Sequence, residues 1–598
     1  MTDMRRTLLW VVFSMSLFLL WDAWNKHNGQ PSFFAPPPVA KPAAAGSAAS
    51  GLPTGSGLPS TAAAPSTPGA AGMAAGGVAG AVAAAAAPAA SAGAAGPVAE
   101  RVTVTTDLVS ATLDSKGGDV VRVELLKQVD KLDPTKNTVL LEQSPERLYV
   151  AQSGLVPVAG GSGLPNHHTP MTLVPGERTL KPGQNAVQVK FESPVVGGVK
   201  LVKTYTFKRA DYVIDVKNEV VNESGAAVNP RLYLQLVRDG NSPAGESSFY
   251  FTFTGPAIYD ATEHYNKIDF KAIEKRRAGD KPGHTTSADN GWVAMVQHYF
   301  ASAWLIDKSG DKSGANPGAK PGDPAGGAKL PREYFTDKVA ANTYSVGMLV
   351  PLGEIAPGAA KSFDAQLFIG PQEEDKLAAL APGLELVKDY GYFKILAEPL
   401  FWLLTQLHKL IGNWGWAIVG LVLLLRLAFF WLNLKAYTSM AKMKAVTPRI
   451  TEMRERLKDK PQQMQQEMMR IYREEKINPL GGCLPMLVQM PFFIALYWVL
   501  LSSVEMRNAP WIGWITDLSA KDPFFILPLL MTATSLVQTW LNPTPADPVQ
   551  AKMMWIMPLA FSVMFFVFPA GLVLYWLTNN ILSIAQQYLI NKKLGVLK

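Results

Sequence analysis

The stretch "LVLLLRLAFFWLNLK", residues 421–435, is apolar enough for a membrane-spanning helix, yet it carries Arg426 near its middle. A charge near the bilayer centre costs about 2.5–3.5 kcal/mol on insertion scales, so such a span needs a compensating partner or water. The residues that follow argue that the span is real. Lys435, Lys442, Lys444, Arg449, Arg454, Arg456, Lys458, Lys460, Arg470 and Arg473 come in close order, and Lys and Arg gather on the cytoplasmic side of a membrane. No Asp or Glu lies in the apolar cores, so the sequence offers Arg426 no acidic partner inside the bilayer.

Outward from this stretch, the last third of the chain predicts a helical core, 415–591, with five spans at about 416–434, 484–503, 524–541, 554–568 and 572–589. About 20 helical residues cross a hydrocarbon core of about 30 Å. The "PAG" at 569–571 predicts that the last two spans form a tight hairpin. Residues 436–478 predict a cytoplasmic hairpin of two helices, broken near Lys460 and Pro461, with the first interrupted or entered at Pro448. Met440 and Met443 recur on one helix, and Met464 and Met468 on the other. This stripe is either a seam between the helices or an adaptable surface for apolar clients.

The spans also carry polar side chains. Trp576, Asn580, Ser583 and Gln587 follow at steps of four, three and four, which is one helical face. Thr534 and Gln538 pair similarly, and Gln489 lies in the second span of the core. Together with Arg426 they predict one wet cavity. The plainer alternative is that amides and hydroxyls glue neighbouring helices together.

Upstream, Arg5 and Arg6 precede an apolar run flanked by Trp21 and Trp24, so 1–25 is expected to be a retained signal anchor. Residues 26–99 are dominated by Ala, Gly, Pro and Ser and predict a disordered tether, since they cannot bury enough surface to offset ordering. From 100 to 385, "RVTVTTDLVSATLDS", "VRVELL", "AVQVKFES", "LVKTYTFKRADYVIDVKNEVV" and "RLYLQLV" alternate apolar and polar residues between turn formers. That pattern predicts an all-β sandwich. Residues 309–329 predict a disordered loop within it. An amphipathic segment, 386–414, is expected to lie along the membrane surface before the core begins. With the basic tail 592–598, an anchor plus five spans puts both termini in the cytoplasm and the β domain on the opposite, periplasmic side.

Several chemistries are not expected. Cys483 is the only cysteine and the seven histidines are scattered, so no disulfide or metal site is predicted. His167 and His168, beside Gly and Pro, are expected in an exposed loop. Glu263, His264 and Asp269 are close in sequence, which alone makes no acid/base pair. No phosphate-binding loop is present, so no cofactor and no enzymatic activity are expected. The net charge of +8 collects beside apolar spans, which points to topology rather than to nucleic acid. A solute transporter or channel is the competing class, but it calls for internal repeats, which the sequence lacks.

The segments "YTSMAKM", "NPLGGCLPMLVQMPFFIALYWVL", "ITDLSAKDPFFILPLLM" and "FPAGLVLYWLTNNILSIAQQYLI" resemble the YidC membrane-protein insertases of Gram-negative bacteria. The resemblance covers Tyr390 to the C-terminus closely and extends upstream in layout. It implies an inner-membrane insertase and chaperone with a hydrophilic groove open to cytoplasm and lipid, with Arg426 as the groove arginine. It implies client contact along 484–503, at Met486, Met490, Pro491 and Phe493, and along 554–568, at Phe561, Phe565 and Phe566. It also implies a galactose-mutarotase-like supersandwich without enzymatic role. The implied partners are nascent inner-membrane proteins, the Sec translocon with its accessory subunits, the lipid bilayer, and the ribosome through basic cytoplasmic loops and tail.

Overall fold

A computed structural model describes residues 100–158, 163–243, 245, 252–277, 279–306, 330–457, 460–475, 484–542 and 548–593. The predicted anchor, the tether, the loop 309–329 and most of the basic tail lie outside the described residues. Among the described residues, eighteen strands form two nine-stranded sheets, and every pairing between named strands is antiparallel. The first sheet runs, in spatial order, Arg101–Thr105, Val109–Asp114, Asp119–Val129, Asn137–Gln143, Leu148–Pro157, Pro230–Asp239, Thr343–Pro351, Arg332–Ala340 and Ser287–Ala288. The second runs His264–Lys267, Gly255–Asp260, Trp292–Val296, Phe300–Ile306, Ala360–Pro371, Val213–Asn222, Val199–Lys208, Ala186–Glu192 and Thr172–Leu173.

Alternation explains the outer strands. Ala186–Glu192 buries every second residue, Val187, Val189 and Phe191, as a strand with one wet face must. The central strands Trp292–Val296 and Phe300–Ile306 are buried almost throughout, with Trp292 and Trp304 in the core between the sheets. Hydrophobic side chains of both sheets merge in one cluster, as in a β-sandwich.

Eight longer helices follow. α1 is Lys394–Ile411, α2 Trp414–Ala428, α3 Phe430–Arg456, α4 Pro461–Glu474, α5 Leu484–Ser502, α6 Ile526–Leu541, α7 Pro548–Phe565 and α8 Ala570–Lys593. α1 buries Ala397, Leu400, Phe401 and Leu404, the i, i+3, i+4, i+7 stripe of an amphipathic helix, against α2 and α5. Its other side leaves Ile395, Trp402 and Leu410 exposed. α8 is the centre of the bundle, packed on α2, α3, α5 and α6.

Three expectations change. The predicted span 416–434 is not one helix: it breaks at Phe429, whose backbone leaves the helical region, and α2 and α3 meet there at 70°. The helix does not stop at Pro448, because α3 runs through it to Arg456. The last two predicted spans do not form a close hairpin, since α7 lies along α6 and meets α8 through the rings of Phe565, Phe568 and Trp576 near the turn. Among the described residues no single helix is long and apolar enough to cross a membrane, and the bent pair α2 and α3 meets that test only together.

The hairpin predicted at 436–478 folds as a seam. Val446, Ile450 and Met453 of α3, with Leu457 just beyond it, pack against Met464, Met468, Ile471 and Tyr472 of α4. The chain turns between Leu457 and Pro461, and Pro461 opens α4 at the position where its missing N–H costs nothing. Met464 and Met468 therefore belong to the seam, while Met440 and Met443 lie half-buried nearer α2 and outside it. Arg449 pairs with Glu474 and Glu475 across the hairpin, but these exposed pairs contribute only about 0–1 kcal/mol. The seam holds the hairpin: Ile450→Asp, which buries an unpaired charge, is expected to open it and to hasten tryptic cleavage within α4, whereas Arg449→Gln is expected to change neither.

Candidate functional site

Arg426 lies in the last turn of α2, where the helix dipole favours a cation. It is half-buried against α8. Its Nε donates to Asn579 Oδ1 at 2.9 Å, and one Nη donates to the Asn579 carbonyl at 3.0 Å and to the Ser583 hydroxyl. The Ser583 hydroxyl itself donates to the Asn579 carbonyl at 2.7 Å. Arg426 has no ion pair among the described residues, so its charge is held by one amide, one carbonyl and one hydroxyl. Hydrogen bonds to a charged group stabilise by about 1.5–3 kcal/mol each, which offsets much of the cost of placing it in an apolar helix.

The polar face of α8 is rotated from the predicted one. Asn579, Ser583, Gln587 and Asn591 are buried at steps of four. Asn580, one residue on, faces α6, where its Nδ2 donates to Ser535 Oγ at 3.1 Å and to Thr534 Oγ1 at 3.5 Å. Asn580 thus acts as glue between helices and does not reach Arg426. Trp576 packs edge-to-face on Phe565, with ring centroids 4.6 Å apart, and belongs to the apolar core. Gln587 Nε2 donates to Asn542 Oδ1 at 3.0 Å, at the end of α6. Gln489 and Gln538 are half-buried on α5 and α6, outside the Arg426 contacts. The predicted set is therefore brought together in part: Arg426, Ser583 and Gln587 share one side of α8, with Asn579 as the missed partner.

Along that side, Asn433 Nδ2 of α3, Gln587 Oε1 and Asn591 Nδ2 are buried without a hydrogen-bond partner among the described residues. Buried polar atoms rarely stay unpaired, so these amides call for water or another polar partner. The interface is therefore polar where the rest of the bundle is apolar.

The surfaces of α5 and α7 are unequal. Met490 and Phe561 are exposed, at 48% and 55%, beside exposed Val488 on α5 and Met557 and Val563 on α7. Pro491 lies half-buried in α5, and Phe493 packs on Tyr575. Phe565 is buried among Phe568 and Trp576, and Phe566 rests on Phe525. The side chain of Met486 lies outside the described residues.

A second cluster, not anticipated from sequence, joins the sandwich to the bundle. Lys388 is buried, with Nζ 3.3 Å from Glu505, 3.9 Å from Glu374 and 3.6 Å above the Phe401 ring. Burial lowers the Lys388 ammonium and raises the Glu505 carboxyl, and each holds the other charged. Arg507 donates to the Val129 carbonyl at 2.6 Å, from beyond α5 into the first sheet. His298 Nε2 donates to the Leu501 carbonyl in α5 at 2.9 Å. Where the chain passes into the bundle, Gly391 has φ +62°, and a Cβ there would lie 2.7 Å from the Trp498 ring, so this passage admits only glycine.

Burial holds His298 at about 4, against 6.5 ordinarily, with Lys131 and Arg507 acting in the same direction. The unfolded chain then binds a proton that the folded chain refuses between these values. Stability is accordingly complete above pH 6.5 and is expected to fall as pH drops toward 4. His298→Gln, which keeps a donor to Leu501, is expected to flatten that fall in thermal unfolding followed by circular dichroism.

Together, fold and site define a β-sandwich fastened to an apolar helical bundle in which Arg426 is held on a row of buried polar side chains of α8. Residues 101–403 match the family model described as the YidC periplasmic domain, and residues 406–596 match the 60Kd inner membrane protein family. The Membrane protein insertase YidC of Janthinobacterium sp. (strain Marseille) is 49% identical over 99% of this chain and 100% of its own length. That of Cupriavidus taiwanensis is 53% identical over 99% of this chain and 98% of its own. An active YidC insertase crystal structure with its first transmembrane domain resolved covers 82% of this chain and 92% of its own, at 18% identity and a TM-score of 0.37. The chain belongs to the YidC family of membrane protein insertases.

Proposed function

We propose that this insertase works through the recess beside Arg426, and that α5 and α7 guide the client helix into lipid. The observation that carries this reading is Arg426 itself, held by Asn579 and Ser583 with no acidic partner among the described residues, on the side of α8 that also buries Gln587 and Asn591. A short polar or acidic client segment enters the recess, where the guanidinium and water replace part of its hydration. The client's apolar helix then slides along Met490 and Phe561 into the bilayer. Removing about 20 apolar residues from water supplies the driving force, so no nucleotide is needed.

The membrane reading rests on length and surface. None of the described helices alone meets both the length and the hydropathy of a full span, but at 1.5 Å per residue α5, α7 and α8 extend about 28, 27 and 36 Å, near the thickness of a hydrocarbon core, about 30 Å. Exposed Leu423, Leu427, Leu529, Trp540, Ile556, Val563 and Leu589 suit contact with lipid rather than water. In this arrangement the α3–α4 hairpin and both termini face the cytoplasm, the sandwich faces the periplasm, and an anchor plus five spans crosses the inner membrane. The basic hairpin and tail then offer surfaces to the ribosome, and the bundle's lateral face offers one to the Sec translocon. Depleting the protein in cells and following insertion of membrane proteins with short extracellular segments tests the proposal. Clients left in the cytoplasm support it, and unchanged insertion contradicts it.

A further inference from the structure

The β domain holds a second polar site that the insertase reading does not use. Strands Val109–Asp114 and Asp119–Val129 turn at Gly117 and Gly118, with φ +75° and +65°. The loop carrying His167 folds over this turn, and Gly117 N–H donates to the Thr169 carbonyl at 2.8 Å. His167 is 2% exposed, so the loop expected to expose it instead presses it against the turn. Beside it is a cavity of about 110 Å³, lined among others by Asp119, Gln152, His167, Val121, Val150 and, on the surface, Gln143.

Hydrogen bonding fixes what the cavity presents. The His167 backbone N–H donates to the Tyr233 hydroxyl at 2.9 Å, and that hydroxyl's proton goes to His167 Nδ1 at 2.6 Å. The remaining ring proton is therefore on Nε2, a buried donor with no partner among the described residues. Gln235 donates to Gln152, and Gln152 donates to Asp119 Oδ2, at 2.9 and 2.8 Å. Asp119 Oδ1, buried in a residue 4% exposed, is a second atom without a partner. Buried polar atoms left unpaired are destabilising, so both call for a partner.

We propose that this cavity binds a neutral, polyhydroxylated small molecule, one hydroxyl accepting from His167 Nε2–H and another donating to Asp119 Oδ1. A hydroxyl is suited to both because it donates and accepts. Charged guests are disfavoured from both sides. Burial raises the Asp119 carboxyl and pushes His167 down to about 3, so both rest toward their neutral forms, and Asp114 and Lys116, which also line the cavity, are opposite in sign. A cavity of about 150 Å³ takes a benzene ring. At about 110 Å³ this cavity is smaller, so it takes one edge of a sugar ring or part of a small polyol, with the rest of the guest at its surface opening.

The test is calorimetric titration of the full-length protein in detergent with glycerol, myo-inositol and D-glucose, with acetate and ethylammonium as charged controls. Glycerol binding identifies a free small polyol, and binding of D-glucose alone identifies a saccharide edge. The expected result is saturable binding of at least one polyol, weakened about tenfold by Asp119→Ala or His167→Phe. Gln143→Trp, on the exposed surface and outside the buried network, is expected to block binding without disturbing the fold. Three results overturn the proposal: no saturable binding of any polyol, polyol binding unchanged in all three variants, or equal binding of acetate or ethylammonium.

Discussion

Arg426→Ala is expected to reduce insertion of clients with an acidic extracellular segment by about tenfold, while clients with a neutral segment insert near normally. The side chain makes its three hydrogen bonds to Asn579 and Ser583 and none to a carboxylate among the described residues, so its charge is not cancelled locally and stays available to a client. Removing it takes the donor from the neutral Asn579 side-chain oxygen but leaves Ser583 bonded to the Asn579 backbone carbonyl. The loss is thus expected in function more than in folding. Arg426→Lys keeps the charge but not the planar fork that reaches both partners, and is expected to fall between. Insertion measured in proteoliposomes at matched protein levels checks this, and equal loss for both client classes contradicts an electrostatic role.

Glu505→Ala is expected to lower stability by about 3 kcal/mol, because it strands the buried Lys388 ammonium with Glu374 as a more distant carboxylate. The pair also ties the segment before α1 to the segment after α5, so the loss is expected to loosen the sandwich from the bundle. Replacing both partners by apolar residues, Lys388→Met with Glu505→Leu, is expected to recover most of the stability. A double-mutant cycle on thermal unfolding reads the coupling directly.

The sequence made the outer strands legible because one of their faces is wet, so Ala186–Glu192 announces itself by alternation. Trp292–Val296 and Phe300–Ile306 are buried on both faces and carry no such period. Arg426 stands out as an anomaly, but the polar face read from the sequence takes Asn580 where the structure uses Asn579. A helix turns 100° per residue, so choosing Asn580 over Asn579 selects α6 instead of α2, and an amphipathic pattern of mixed steps does not separate the two. The step of four from Asn579 through Ser583 to Gln587 and Asn591 was available and is the cleaner signal. The Lys388–Glu505 pair and the His298–Leu501 contact join residues far apart in the chain, and no local pattern announces them. His167 was misjudged for the opposite reason: Gly and Pro neighbours mark a turn, and this turn folds inward onto Tyr233.

The most direct test of the account is a photo-crosslinker placed in turn at Met490, Phe561 and Ile395 during synthesis of a short-domain client. All three positions are exposed and apolar, but only the first two lie on the proposed client surface of α5 and α7, while Ile395 lies on α1. The account predicts client adducts from Met490 and Phe561 and none from Ile395. Adducts from Ile395 as strong as from the other two, or none from Met490 and Phe561, contradict it.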